Sequence, residues 1–211
     1  MKILFQGDSV TDARRDRSNP SDMGDGYPRY ASAMIQDSFP DIDFEFVNLG
    51  IGGNRTEHLV QRLESDFIDI KPDIISVMIG INDVWHRHSH DIRTTDEDIE
   101  RNYRTVLEAI KSRTDARILI IQPFLMESAN PNVAELREEL TIAQVIIKRL
   151  ADKYADAYLP MDTILNTETK EEPVYYTEDG IHPTPNGACY IGEAYLKAIA
   201  PLIELLSKEV E

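Results

Sequence analysis

The chain of 211 residues is 42% hydrophobic and 28% charged, a composition typical of folded globular proteins, and its length suits one domain over residues 1–211. Its formal net charge of −16 argues against general nucleic-acid binding and attachment to anionic membranes, since both surfaces present phosphate, and it favours neutral over anionic substrates. One cysteine, Cys189, and an opening apolar run of only Ile3, Leu4 and Phe5 leave no internal disulfide, secretory h-region or membrane span, so a cytoplasmic location is expected.

The run from Ile3, broken by Gly7, predicts a buried strand that delivers Asp8 and Ser9 at its end. A polar segment, Thr11 to Gly26, reads as a loop, and Tyr27 to Phe39 reads as a helix. Asp43 to Asn48 predicts a second strand that ends in a turn bearing Gly50, Gly52 and Gly53; Leu59, Leu63 and Phe67 then recur at helical spacing. Asp73 to Ile79 is apolar almost throughout, as expected of a strand buried on both faces of a parallel sheet. Thr94 and Glu97 form a capping box for a helix carrying Ile99, Tyr103, Val106, Leu107 and Ile110. A strand over Arg117 to Gln122, a long helix from Leu136 to Tyr154 and a short strand at Ala157 to Leu159 follow. The final helix starts at Pro185 with Thr184 as its N-cap and runs through Leu206. Strands alternating with helices specify an α/β fold, a three-layer α/β/α sandwich around a parallel sheet of about five strands.

Open α/β folds bind ligands at the carboxyl edge of the sheet, which makes Ser9 a candidate nucleophile, although Gly-Asp-Ser is also ordinary turn chemistry. A serine nucleophile needs a base and an orienter. Asp179 and His182 lie three positions apart around Gly180, a spacing that lets the carboxylate accept the imidazole Nδ1–H while Nε2 faces Ser9. The same spacing occurs in helix caps and surface pairs. Gly53 would allow a backbone N–H close to a developing negative charge, or would merely serve a tight turn; Asn82 offers a side-chain amide to the same charge, or forms an Asx turn. No dinucleotide fingerprint, P-loop lysine or zinc-type pairing is present, so no cofactor and no metal is expected.

Gly7-Asp8-Ser9, Gly53 in its glycine turn, Gly80-x-Asn82-Asp83 and Asp179-x-x-His182, in this order and spacing, resemble the four blocks of the SGNH (GDSL) hydrolase superfamily across nearly the whole chain. The resemblance implies a flavodoxin-like five-stranded sheet of order 2-1-3-4-5. It implies catalysis by Ser9, His182 and Asp179, with an oxyanion hole made by the Ser9 and Gly53 backbone N–H groups and the Asn82 side chain. The absence of a Gly-x-Ser-x-Gly elbow argues against the α/β-hydrolase fold. The runs MIGINDVW (Met78 to Trp85), GDSVTD, GYPRY and QPF further resemble small intracellular carbohydrate acetylesterases, acetylxylan esterases in particular. That implies a small-molecule ester substrate, an acetylated xylo-oligosaccharide, and members of this group often form homo-oligomers. The rival functions are a lysophospholipase or thioesterase, a general short-chain arylesterase, and a non-catalytic carbohydrate-binding protein.

Trp85, the only tryptophan, reads as a sugar-stacking or pocket-wall residue, or as plain packing. His86, His88 and His90 would share a face if extended, although histidines in a polar loop are usually solvated. Asp8 and Asp83 read as loop organisers that accept backbone N–H bonds.

Overall fold

A computed structural model describes residues 1–90, 92–169 and 172–209. Parallel strands β1 (Lys2–Gly7), β2 (Glu45–Asn48), β3 (Ile74–Met78), β4 (Arg117–Ile121) and β5 (Ala157–Leu159) form one sheet of order β2-β1-β3-β4-β5. This is the expected order. The chain runs outward from β1 to β2, then returns past β1 to begin β3. The two directions of winding therefore part between β1 and β3, where such sheets open a crevice at their carboxyl edge.

Side chains of period two divide the core into two layers. Leu4, Ile75, Val77, Ile118 and Ile120 face α3 (Thr56–Gln61), α5 (Asp96–Arg113) and α6 (Arg137–Tyr154). Ile3, Phe5, Ile74, Met78, Leu119 and Ile121 face α2 (Tyr27–Ser38) and α9 (Pro185–Glu209). Phe5, Tyr27 and Tyr195 meet with ring centroids 5.2–6.0 Å apart. The Tyr195 hydroxyl is satisfied by Ser76 Oγ at 3.1 Å, which lets a polar residue sit in the central strand. Among the described residues no helix is long and apolar enough to cross a membrane.

The structure departs from the sequence reading in several places. Ser9–Asp12 form a short helix, α1, at the start of the segment read as loop. The α5 capping box is Thr95 with Asp98, one position beyond the expected pair, and Thr94 Oγ1 instead accepts from Arg55 Nη1 at 2.8 Å. Adjacent threonines, each followed three residues later by an acid, fit the capping pattern equally well, and tertiary contact with Arg55 selects the register. Leu63 and Phe67 leave α3, and Glu64–Ile68 form a π-turn that buries Phe67. Ile81–Ser89, read as loop, is helix α4, because Ile81, Val84 and Trp85 set a helical stripe on the core. Two short helices the sequence did not announce, α7 (Met161–Glu168) and α8 (Pro173–Tyr176), complete the carboxyl edge.

Candidate active site

At the end of β1, a Cβ on Gly7 would overlap both Thr11 Oγ1 and the Met78 carbonyl, so glycine is needed for the chain to turn at the β1–β3 edge. Asp8 caps α1 by accepting the Val10 N–H at 3.1 Å, and Ser9 is the first residue of that helix. Burial pushes the Asp8 carboxyl up to about 7, against the pull of the Val10 N–H and of nearby His182.

The second component comes from the loop between α8 and α9. Thr177 and Pro183 bridge across this loop, and Gly180, at φ +84°, presents its carbonyl to the Met126 N–H at 2.8 Å. Asp179 Oδ1 accepts the backbone N–H groups of Ile181 and His182 at 2.8 and 2.7 Å, while Oδ2 lies 2.7 Å from His182 Nδ1. Burial raises the Asp179 carboxyl, but the bonds from the His182 ring and the two backbone N–H groups outweigh it and hold the group well below the usual carboxylate range. The bond to Asp179 raises the His182 imidazole above its ordinary value, with burial opposing and the negative charge of Asp8 adding to the rise. With Nδ1–H donated to the carboxylate, Nε2 turns its lone pair to Ser9 Oγ, 2.8 Å away.

The glycine turn after β2 lies against this pair. The site of a Cβ on Gly52 is 3.7 Å from Ser9 Cβ, and the Ile51 N–H bonds the Gly7 carbonyl at 3.1 Å. Gly53 has φ +78° with open space on its side-chain face, and among the described residues its N–H has no protein acceptor. Asn82, buried in the first turn of α4, donates one Nδ2–H to the Asn54 carbonyl at 3.0 Å, which brings the carboxamide beside the same turn and leaves a second N–H. The structure thus gathers Ser9, Gly53, Asn82, Asp179 and His182 at one sheet edge.

Two hollows flank His182. A cavity of about 570 Å³ is lined by Ser9, His182, Asp12, Arg14 and Arg17, and a shallower cleft of about 600 Å³ that also touches His182 is lined by Val174, Tyr175, Glu178 and Asp179. Trp85, one turn of α4 beyond Asn82, is half-buried with its ring 6.2 Å from that of His182. Tyr175 is 50% exposed beside the second cleft.

Asp83 accepts the Thr56 N–H at 3.0 Å and the Thr56 hydroxyl at 2.7 Å, and burial pushes its carboxyl up to about 6 against those bonds. Asp8 and Asp83 are the loop organisers the sequence suggested. The three histidines do not share a face. The His86 and His90 rings contact each other with centroids 4.5 Å apart, while His88 Nε2 reaches Glu139 at 2.9 Å, because the segment is helical and a shared face would need it extended. Sequence reasoning missed Asp12, Arg15, Arg62 and Tyr175. The only hint of the first two was the density of Asp and Arg in the segment after Ser9.

The chain matches the GDSL-like Lipase/Acylhydrolase family over residues 5–188. It is 29% identical over 206 residues to an acetylxylan esterase from Geobacillus stearothermophilus, covering 94% of this chain and 93% of that one. It is 26% identical to the bovine (Bos taurus) platelet-activating factor acetylhydrolase IB subunit alpha2, over 78% of this chain and 66% of that one. A putative GDSL-like lipase from Parabacteroides merdae superposes with a TM-score of 0.89 at 26% identity, covering 94% of this chain and 95% of that one. The crystal structure of the Geobacillus acetylxylan esterase Axe2 superposes with a TM-score of 0.83 at 28% identity, over 93% and 92% of the two chains. Variants of Axe2 at a serine and at an aspartate are described as catalytic mutants. A family match over most of the chain, on a sheet of the same order, establishes that this protein belongs to the GDSL-like lipase/acylhydrolase family and is a serine ester hydrolase.

Proposed function

We propose that the protein removes O-acetyl groups from acetylated xylo-oligosaccharides through an acetyl-enzyme on Ser9. The observation that carries this reading is the continuous hydrogen-bonded run from Ser9 Oγ through His182 to Asp179, beside the turn whose Gly53 N–H has no protein acceptor among the described residues. Ser9 Oγ attacks the acetyl carbonyl carbon while His182 Nε2 takes its proton, and Asp179 stabilises the imidazolium. The Ser9 and Gly53 backbone N–H groups and the Asn82 amide hold the tetrahedral oxyanion. Collapse breaks the bond to the sugar oxygen, which leaves with the proton from His182. Water then attacks the acetyl-serine, with His182 again taking the proton, and acetate departs as Ser9 regains it.

Acetyl chemistry is supported by the names of the acetylxylan esterase and acetylhydrolase relatives. A sugar acceptor is supported by the aromatic surface of Trp85, whose ring stands 6.2 Å from that of His182, and of exposed Tyr175 beside the second cleft, and by the charged donors Arg14 and Arg17 around the cavity. A series of para-nitrophenyl esters from acetate to octanoate tests the acyl preference. kcat/KM is expected to fall steadily beyond about four carbons. A rise toward octanoate would move the substrate to lysophospholipids or long-chain thioesters.

A further inference from the structure

An oxyanion donor contributes only if its N–H stands where the charge develops, and an error of about 1 Å costs roughly 100-fold in rate. The turn that carries Gly53 has glycines at 50, 52 and 53; the Asn54 N–H closes it on the Ile51 carbonyl at 3.1 Å, but its glycines add little stiffness, so contacts from outside hold it in place. Arg62 holds the Leu49 carbonyl at 3.2 Å and Asn54 Oδ1 at 2.9 Å, Arg15 Nε holds the Gly50 carbonyl at 3.0 Å, and Asn48 Oδ1 accepts the Gly50 N–H at 3.0 Å. These contacts fix the two ends of the turn. At its apex, Asp12 Oδ2 accepts the Gly52 N–H at 2.8 Å and so grips the residue next to Gly53.

Asp12 closes the helix that Ser9 opens, so a single helical turn carries the nucleophile at one end and the grip on the donor loop at the other. The Asp12 side chain is buried, and Arg17 Nη2 pairs with the same oxygen at 2.5 Å, which fixes the carboxylate in place. We propose that Asp12 is a positioning residue that sets the distance between Ser9 and the Gly53 N–H through its bond to Gly52. The proposal rests on the roles given above to Ser9 and Gly53. Because the oxyanion is absent from the bound ester and develops only as Ser9 adds to the carbonyl, loss of this grip is felt in kcat and not in KM.

The test is steady-state hydrolysis of para-nitrophenyl acetate by the wild type, Asp12→Ala, Asp12→Asn and a Ser9→Ala blank, with thermal unfolding of each. Asp12→Ala is expected to lower kcat about 100-fold with KM within about threefold. Asp12→Asn, whose amide oxygen still accepts the Gly52 N–H, is expected to lose about three- to tenfold, again in kcat. If Asp12→Ala does not fold, Asp12→Asn carries the test. Wild-type kcat in a folded Asp12→Ala or in Asp12→Asn, a loss confined to KM, or equal damage by both substitutions would overturn the proposal. Absence of Ser9-dependent hydrolysis in the wild type would instead overturn the esterase reading on which it rests.

Discussion

Ser9 Oγ and His182 Nε2 lie 2.8 Å apart although 173 positions separate them in the chain. The distance is set by two unrelated local devices, an Asp8-capped turn at the end of β1 and a Gly180 turn that docks on Met126. Substitution of either partner removes a unit rather than a contact. Ser9→Ala and His182→Ala are each expected to lower kcat by about three to six orders of magnitude, and the double variant to be little worse than either alone. Asp179→Asn is expected to cost about 10⁴-fold, since an amide favours the wrong imidazole tautomer. Additive losses in the double variant would show that the two residues do not act together.

The pH dependence follows from the same residues. In the proposed mechanism His182 must be neutral to act as base, and its bond to Asp179 raises it above its ordinary value, so kcat/KM is expected to fall on the acid side with a midpoint above about 6.5. Asp8 takes up its own proton at about 7, in the same range, so the two groups titrate as a pair, and Asp8→Asn, which removes the partner charge while keeping a capping side chain, is expected to lower the midpoint. A midpoint that rises would contradict the placement of that charge.

Stability carries the same sign. Asp8 at about 7 and Asp83 at about 6 hold protons in the folded state that they release on unfolding, and the raised His182 does likewise. These three groups bind more protons in the folded state between about pH 4 and pH 7, so their contribution to stability rises as pH falls through that window, while His58 and His86, lowered chiefly by burial, oppose it below their ordinary value. The melting temperature is expected to be higher near about pH 5.5 than near about pH 8, with a smaller difference in Asp8→Asn; calorimetry at the two values checks both.

The glycines of the donor turn are not equivalent. A Cβ on Gly50 would stand 2.6 Å from the Asp12 backbone nitrogen, whereas a Cβ on Gly53 meets nothing within 4 Å. Gly50→Ala is expected to cost about 1–3 kcal/mol by overpacking and to lower kcat at least about tenfold, because the turn must lift off α1. Gly53→Ala pays only the strain of its φ of +78°, about 1–2 kcal/mol. Urea unfolding and kcat on one small ester separate the two.

Substitution of Tyr175 and Trp85 separates the proposed sugar recognition from ester chemistry. Tyr175 is exposed and attached to the Asp179–His182 loop through Thr184, whose hydroxyl donates to the Tyr175 carbonyl at 2.6 Å. Tyr175→Ala is expected to raise KM for acetylated xylo-oligosaccharides about tenfold and to leave para-nitrophenyl acetate hydrolysis and the melting temperature unchanged. Trp85→Ala is expected to do the same and also to destabilise the fold, because its ring packs on the core beneath α4. Equal effects on both substrates would remove the sugar-binding role.

The sheet was legible because β1, β3 and β4 are nearly continuous apolar runs bounded by Gly7, Pro72, Gly80 and Pro123, and burial on both faces leaves little freedom in how such runs pack. Ser9, Asp179 and His182 were legible because their neighbours declare the turns that hold them. Helix α4 was hidden by the alternation His86-Arg87-His88-Ser89-His90, which mimics a strand period while the true signal sits in Ile81, Val84 and Trp85. Asp12, Arg15 and Arg62 were hidden for another reason: they act on backbone groups 13 to 40 positions away, and no local pattern encodes such partners.

Acetate release from acetylated xylo-oligosaccharides, measured beside para-nitrophenyl octanoate with Ser9→Ala as the blank, tests the proposed reaction most directly. Deacetylation of the sugar should be rapid and Ser9-dependent, with the octanoate ester turned over far more slowly. An inert sugar with the octanoate ester preferred would contradict the acetylesterase assignment, and sugar deacetylation that persists in Ser9→Ala would contradict the nucleophile.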